Sequence, residues 1–131
     1  MRLLVTAGGL VLCGLLLAGC TGPGEPDARR AATGFLDAAE RGDREAACAL
    51  LAPRTSADLS TSEGQPCAEA LPADRIQPGT VRSVQVWSGR AQVDTDANTM
   101  FLTEFDDGWR VSAAGCTPAG ESEPYRCVVG G

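Results

Sequence analysis

The chain has 131 residues, of which 11 are basic and 17 acidic, for a formal charge of −6; 44% are hydrophobic but only 5% aromatic. That length is one domain's worth, and a net negative charge with no basic stripe excludes a nucleic-acid backbone as partner. Every cation is Arg and His is absent, so no imidazole base, His metal ligand or Schiff-base lysine is available.

Met1-Arg2 supplies one positive charge ahead of an apolar run, Leu3–Leu17, which ends in small residues before Cys20. A charged start, a short apolar stretch and a small-residue cut site make a secretory signal. The run is shorter than the ~20 residues a permanent span needs, and Gly8, Gly9 and Gly14 weaken it further. Leu17-Ala18-Gly19-Cys20 resembles the lipobox of bacterial lipoproteins. The resemblance implies a diacylglyceryl group on the Cys20 thiol and cleavage ahead of it. Residues 1–19 are then a signal peptide, 20–26 a lipidated cysteine with a Gly/Pro tether, and 27–131 the folded domain. Loss of Arg2 leaves 10 Arg against 17 acidic residues, or −7. Such a domain has no polybasic grip on anionic lipid, and attachment falls to the lipid itself. Two acyl chains anchor stably where one would be reversible. The expected location is the extracytoplasmic face of the cell membrane.

Of six cysteines, Cys13 leaves with the signal and Cys20 carries lipid. Cys48, Cys67, Cys116 and Cys127 remain, which in an exported domain means two disulfides from three possible connectivities. Cys48–Cys67 and Cys116–Cys127 are favoured because each joins neighbouring elements. Each closes a loop of roughly 10–20 residues, worth on the order of 3 kcal/mol. A zinc site would bring its ligands in close pairs such as C-x₂-C, which are absent, and a thiol nucleophile would lack a His partner. No metal or cofactor is expected.

Along the mature chain, Ala28, Ala31, Ala32, Phe35 and Ala39 recur at helical spacing, predicting a helix over Asp27–Arg41. Asp27 is its expected cap and Gly42 its left-handed stop. Asp43 can cap a second helix through Leu51, ended by Pro53. Residues 54–65 are polar and are expected to form a loop with a helical turn. Pro66 opens a short third helix, Cys67–Leu71, stopped by Pro72. From Thr80 the pattern changes to strands. A two-residue turn at Ser88-Gly89 pairs Val86 with Ala91 and Val84 with Val93. A three-residue turn, Asp106-Asp107-Gly108, would pair Phe105 with Trp109 and Glu104 with Arg110. Tyr125–Val129 is expected as a last short strand. Helices followed by an antiparallel meander give an α+β domain.

The helices, together with Val84-Gln85-Val86, Thr103-Glu104-Phe105, Gly108-Trp109-Arg110-Val111 and Ala114-Gly115-Cys116, resemble small NTF2-like (cystatin-like) lipoproteins over residues 27–116. The resemblance implies helices packed on the concave face of a curved sheet, sometimes around a pocket. Enzymes of that superfamily carry acidic, Tyr or His residues in the pocket, and none of those positions matches here.

Three acidic features bear on chemistry. Asp94-Thr95-Asp96-Ala97-Asn98 opens like an EF-hand loop, but Thr99 stands where Gly is needed and Phe105 where a bidentate Glu should close the site. A polar turn is the better account. Asp106-Asp107 are turn neighbours that point apart and stay solvated. Asp37, expected to pair with Arg41 on the first helix, is the best candidate acid but has no oriented partner. Ser and Thr lack an activating base, G-x-S-x-G is absent, and Trp87 and Trp109 suit packing better than a ligand. With no catalytic constellation, the expected role is a non-catalytic envelope module that binds a protein partner or a small apolar ligand. The alternatives are an isomerase- or dehydratase-like enzyme using a pocket carboxylate, and a purely structural surface lipoprotein.

Overall fold

A computed structural model describes residues 22–131. The export signal expected over residues 1–19 and the lipidation expected at Cys20 lie outside the described residues. Helix α1 spans Glu25–Glu40, starting two residues before the expected Asp27. Gly24 caps it in a left-handed conformation, and the Glu25 amide bonds back to the Gly22 carbonyl at 3.1 Å. Pro26 sits in the first turn, where its missing N–H costs nothing, and Glu25 and Asp27 place negative charge at the positive end of the helix. Asp27 is thus inside the helix and accepts from Arg30 at 2.8 Å instead of capping.

Helix α2 spans Arg44–Ala49, with Asp43 accepting from the Ala46 amide as expected. Pro53 does not merely end this region: it opens helix α3, Pro53–Glu63, where the sequence suggested a loop. The helix has a physical cause. Pro at the first helical position and Gly64 at a left-handed stop bracket the segment, and no residue of α3 is buried, so no apolar stripe marked it. Helix α4, Cys67–Ala70, follows with Pro66 as its cap residue. The Cys48–Cys67 disulfide ties α2 to α4.

Four strands, β1 (Val81–Trp87), β2 (Arg90–Thr95), β3 (Thr99–Phe105) and β4 (Gly108–Cys116), form an antiparallel meander in sequence order. The Ser88-Gly89 turn has the expected register, Val86 opposite Ala91 and Val84 opposite Val93. Both turn residues take positive φ, 45° and 71°, as a type I′ turn requires. The β3–β4 turn differs from expectation. Asp106-Asp107 form a two-residue turn, so Phe105 faces Gly108, Glu104 faces Trp109 and Thr103 faces Arg110. A one-residue slip exchanges the two faces of a strand. The observed register buries Trp109 in the core while Phe105 stays exposed on the opposite face. Gly108 absorbs the tight connection with φ 121°, and Arg110 pairs with Asp107 at 3.1 Å rather than with Glu104.

The core lies between α1 and one face of the sheet. Phe35, Leu36 and the α1 alanines pack with Ala91, Val93, Met100, Leu102, Trp109 and Val111. Burial of such side chains contributes roughly 25 cal/mol per Å² of apolar surface. The free edge of β4 is covered twice. Leu51 bridges Val111 in parallel, and the C-terminal segment bridges Ala114 to Val129 and Thr117 to Arg126. That segment, expected as a strand over Tyr125–Val129, makes only these isolated bridges and is held by the Cys116–Cys127 disulfide. The β1 edge carries Arg82 and a register break between Val81 and Ser83. No described helix is long and apolar enough to cross a membrane.

Candidate functional site: a groove on the outer sheet face

Period-2 alternation sends every second side chain of the sheet away from α1. Trp87, Arg90, Phe101, Thr103, Phe105 and Ser112 occupy that outer face, as their cross-strand partners Trp87–Arg90, Arg90–Thr103 and Thr103–Arg110 require. Two segments wall part of it. Backbone bonds of 2.8 Å join Ala52 N to Val111 O and Val111 N to Leu50 O, which launches α3 alongside β4. Thr55 Oγ1 then donates to Ser112 O at 2.9 Å and fixes the first turn of α3. On the other side, the Cys116–Cys127 disulfide and the Ala114–Val129 bridge position the C-terminal segment.

Between these walls runs an open groove of about 780 Å³. Its α3 wall presents Arg54, Thr55, Asp58, Leu59, Ser62 and Glu63, its floor Thr103, Phe105 and Ser112, and its far wall Val128, Val129, Gly130 and Gly131. A smaller hollow of about 310 Å³ adjoins it, lined by Phe101, Ser112, Ala113, Pro124, Tyr125, Cys127 and Gly131. There the rings of Phe101 and Tyr125 meet edge to face with centroids 5.2 Å apart, a favoured aromatic geometry. Of the chain's six aromatic residues, only Phe35 and Trp109 are in the core, while Trp87, Phe105 and Tyr125 are exposed. The groove can therefore offer apolar contact with a polar rim.

Its hydroxyls are arranged for structure. Thr103 Oγ1 and Ser112 Oγ bond each other at 2.7 Å. The groove's carboxylates, Asp58 and Glu63, lie on exposed positions of α3, and Asp58 pairs with Arg54 at 3.6 Å.

The residues singled out in the sequence fall elsewhere. Asp37 is exposed on α1, beside a hollow near the start of β1 and remote from the groove. Its expected pair with Arg41 does not form; Arg41 turns to Asp43 at 3.9 Å. Asp106 and Asp107 are exposed on their turn. The Asp94–Asn98 segment is the polar β2–β3 turn: Thr95 Oγ1 accepts from the Ala97 and Asn98 amides, and Asp96 accepts from the Thr80 amide at 2.9 Å. Asp94 accepts from Gln92, Thr99 and Ser83 at 3.1, 2.8 and 3.2 Å. Burial pushes its pKa up, but these three hydrogen bonds outweigh that and hold it below the ordinary carboxylate value. Among the described residues, no three His, Cys, Asp or Glu side chains come together as a metal site would need.

The groove is not legible in the sequence, because α3 lacks an apolar stripe. Pro53 and Gly64 were its available signals. Comparison with protein-family models, with curated proteins and with solved structures returns no match to this chain.

Proposed function

We propose that the chain is a membrane-anchored envelope lipoprotein, lipidated on Cys20, whose NTF2-like (cystatin-like) domain recognises a partner protein in the groove of its outer face without catalysing a reaction. The anchor is supported by the export pattern ending in Leu17-Ala18-Gly19-Cys20. The fold assignment is supported by α1 lying across an antiparallel four-strand meander.

One observation carries the binding role. The space between α1 and the sheet is occupied by Phe35, Leu36, Met100, Leu102 and Trp109, so the room for a ligand lies outside, in the 780 Å³ groove. A filled core with aromatic side chains left on the outer surface favours an interaction face over a carrier cavity. Tyr and Phe beside small and hydroxyl residues suit a protein interface, where aromatic anchors supply area and the rim supplies hydrogen bonds.

A photo-crosslinking residue placed at Leu59 or Tyr125 in cells tests the reading. Discrete adducts from these positions, and none from Gln85 on β1, are the expected outcome. Equal labelling from all three positions, or none from any, would count against it.

A further inference from the structure

The described chain starts at the same end of the sheet as both hairpin turns. Gly24 lies against Trp109, the second residue of β4, with an added Cβ falling 3.1 Å from Trp109 Cζ2. Trp109 follows the Asp106-Asp107 turn. The Ser88-Gly89 turn lies beside it, since the Glu104 amide donates to the Gly89 carbonyl at 2.8 Å. The β2–β3 turn around Ala97 is at the opposite end of the meander. Next to the two adjoining turns are Trp87, 47% exposed, and Phe105, 38% exposed.

Chain length limits how far this end can stand from an acyl group on Cys20. Gly22 is already turned back onto Glu25. Two further residue steps reach Cys20, at most ~7 Å of extended chain. A strand rises ~3.3 Å per residue, so the opposite end of the sheet stands about 20 Å farther from the anchor. The net charge of the exposed tip is small: it holds Glu104, Asp106 and Asp107 against Arg90 and Arg110, and Arg110 is paired with Asp107. Such a tip suits a zwitterionic headgroup layer rather than an anionic one.

Resting on the lipidation of Cys20 proposed above, we infer that the hairpin end of the sheet lies on the bilayer surface, with Trp87 seated in its headgroup region. Trp is suited to that layer, having an apolar body and one N–H donor. The lipid thereby does more than tether: it orients the domain, with the β2–β3 turn pointing away from the membrane.

The test uses the mature lipidated protein in phosphatidylcholine vesicles carrying brominated acyl chains, read by tryptophan fluorescence. Trp87 emission should shift to the blue and be quenched, while Trp87→Phe leaves only the emission of Trp109, unquenched in the core. Adding Ala97→Trp to that variant should introduce an unquenched, water-exposed signal. A lipidated protein whose Trp87 is unquenched, or whose Ala97→Trp signal is quenched as strongly as Trp87, overturns the contact while leaving the anchor standing. A native chain whose mass shows no acyl group on Cys20 overturns both together.

Discussion

Gly24 and Trp109 form a close backbone-to-ring contact at the start of the fold, where a Cβ on Gly24 would meet the indole at 3.1 Å. Gly24 also holds φ +81°, a conformation that costs a side-chain-bearing residue about 1–2 kcal/mol. Gly24→Ala should therefore destabilise the domain by at least about 1 kcal/mol, seen as a lower urea midpoint with an unchanged slope. A variant as stable as the parent would show that α1 does not depend on this start.

Ser88 bears the only positive φ, 45°, found at a non-glycine position among the described residues. The type I′ turn it shares with Gly89 favours Asn or Gly at that site. Ser88→Asn should stabilise the protein by about 0.5 kcal/mol, measurable as a rise in the thermal midpoint.

Cys116 and Cys127 enclose a segment of 11 residues in sequence separation. Replacing both with Ala should cost about 3 kcal/mol, with the loss concentrated at the C-terminal wall of the groove. Hydrogen exchange at Val128 and Val129 should accelerate far more than at Val93 or Leu102, because few backbone bonds besides the Ala114 and Thr117 bridges hold that wall. Crosslinking from Tyr125 should fall in parallel.

Asp94 supplies a pH-dependent contribution with a definite sign. Its folded pKa is held below the ordinary value by the hydrogen bonds from Gln92, Thr99 and Ser83, which outweigh burial. The stabilisation is present above the unfolded carboxylate pKa of ~3.9 and is lost as pH falls through the lower folded value. Asp94→Asn should cost about 1 kcal/mol near neutrality, and the gap from the parent should narrow below pH ~4. A gap that stays constant from pH 7 to pH 3, in chemical unfolding followed at each pH, would refute this role.

Where sequence signals were periodic or stereochemically strict, they anticipated the structure. The α1 alanines with Phe35, the Asp43 cap and the Ser88-Gly89 register depend on spacing or on local backbone chemistry, and both disulfide pairs on the adjacency of the elements they join. The failures have a common origin in tertiary context. Helix α3 buries none of its residues, so its composition looks like a loop. At the Asp106-Asp107 turn a Phe105–Trp109 pair looks favourable from sequence, whereas the core takes Trp109 alone and sends Phe105 to the outer face. The groove depends on both features and on a C-terminal segment held by two bridges. Apart from Pro53 and Gly64, which bracket α3, these features leave no local pattern in the sequence.

The unequal borders of the sheet limit how copies of the domain can join. Strand β4 is bridged along its edge by Leu51 and by the C-terminal segment, and among the described residues only β1 borders the sheet with no bridged neighbour on its outer side. Growth of a sheet from molecule to molecule needs two open sides on each unit. Here a β1-to-β1 encounter would use up the single open side of both partners. Through the described residues, strand-mediated association thereby favours a closed pair over a propagating filament.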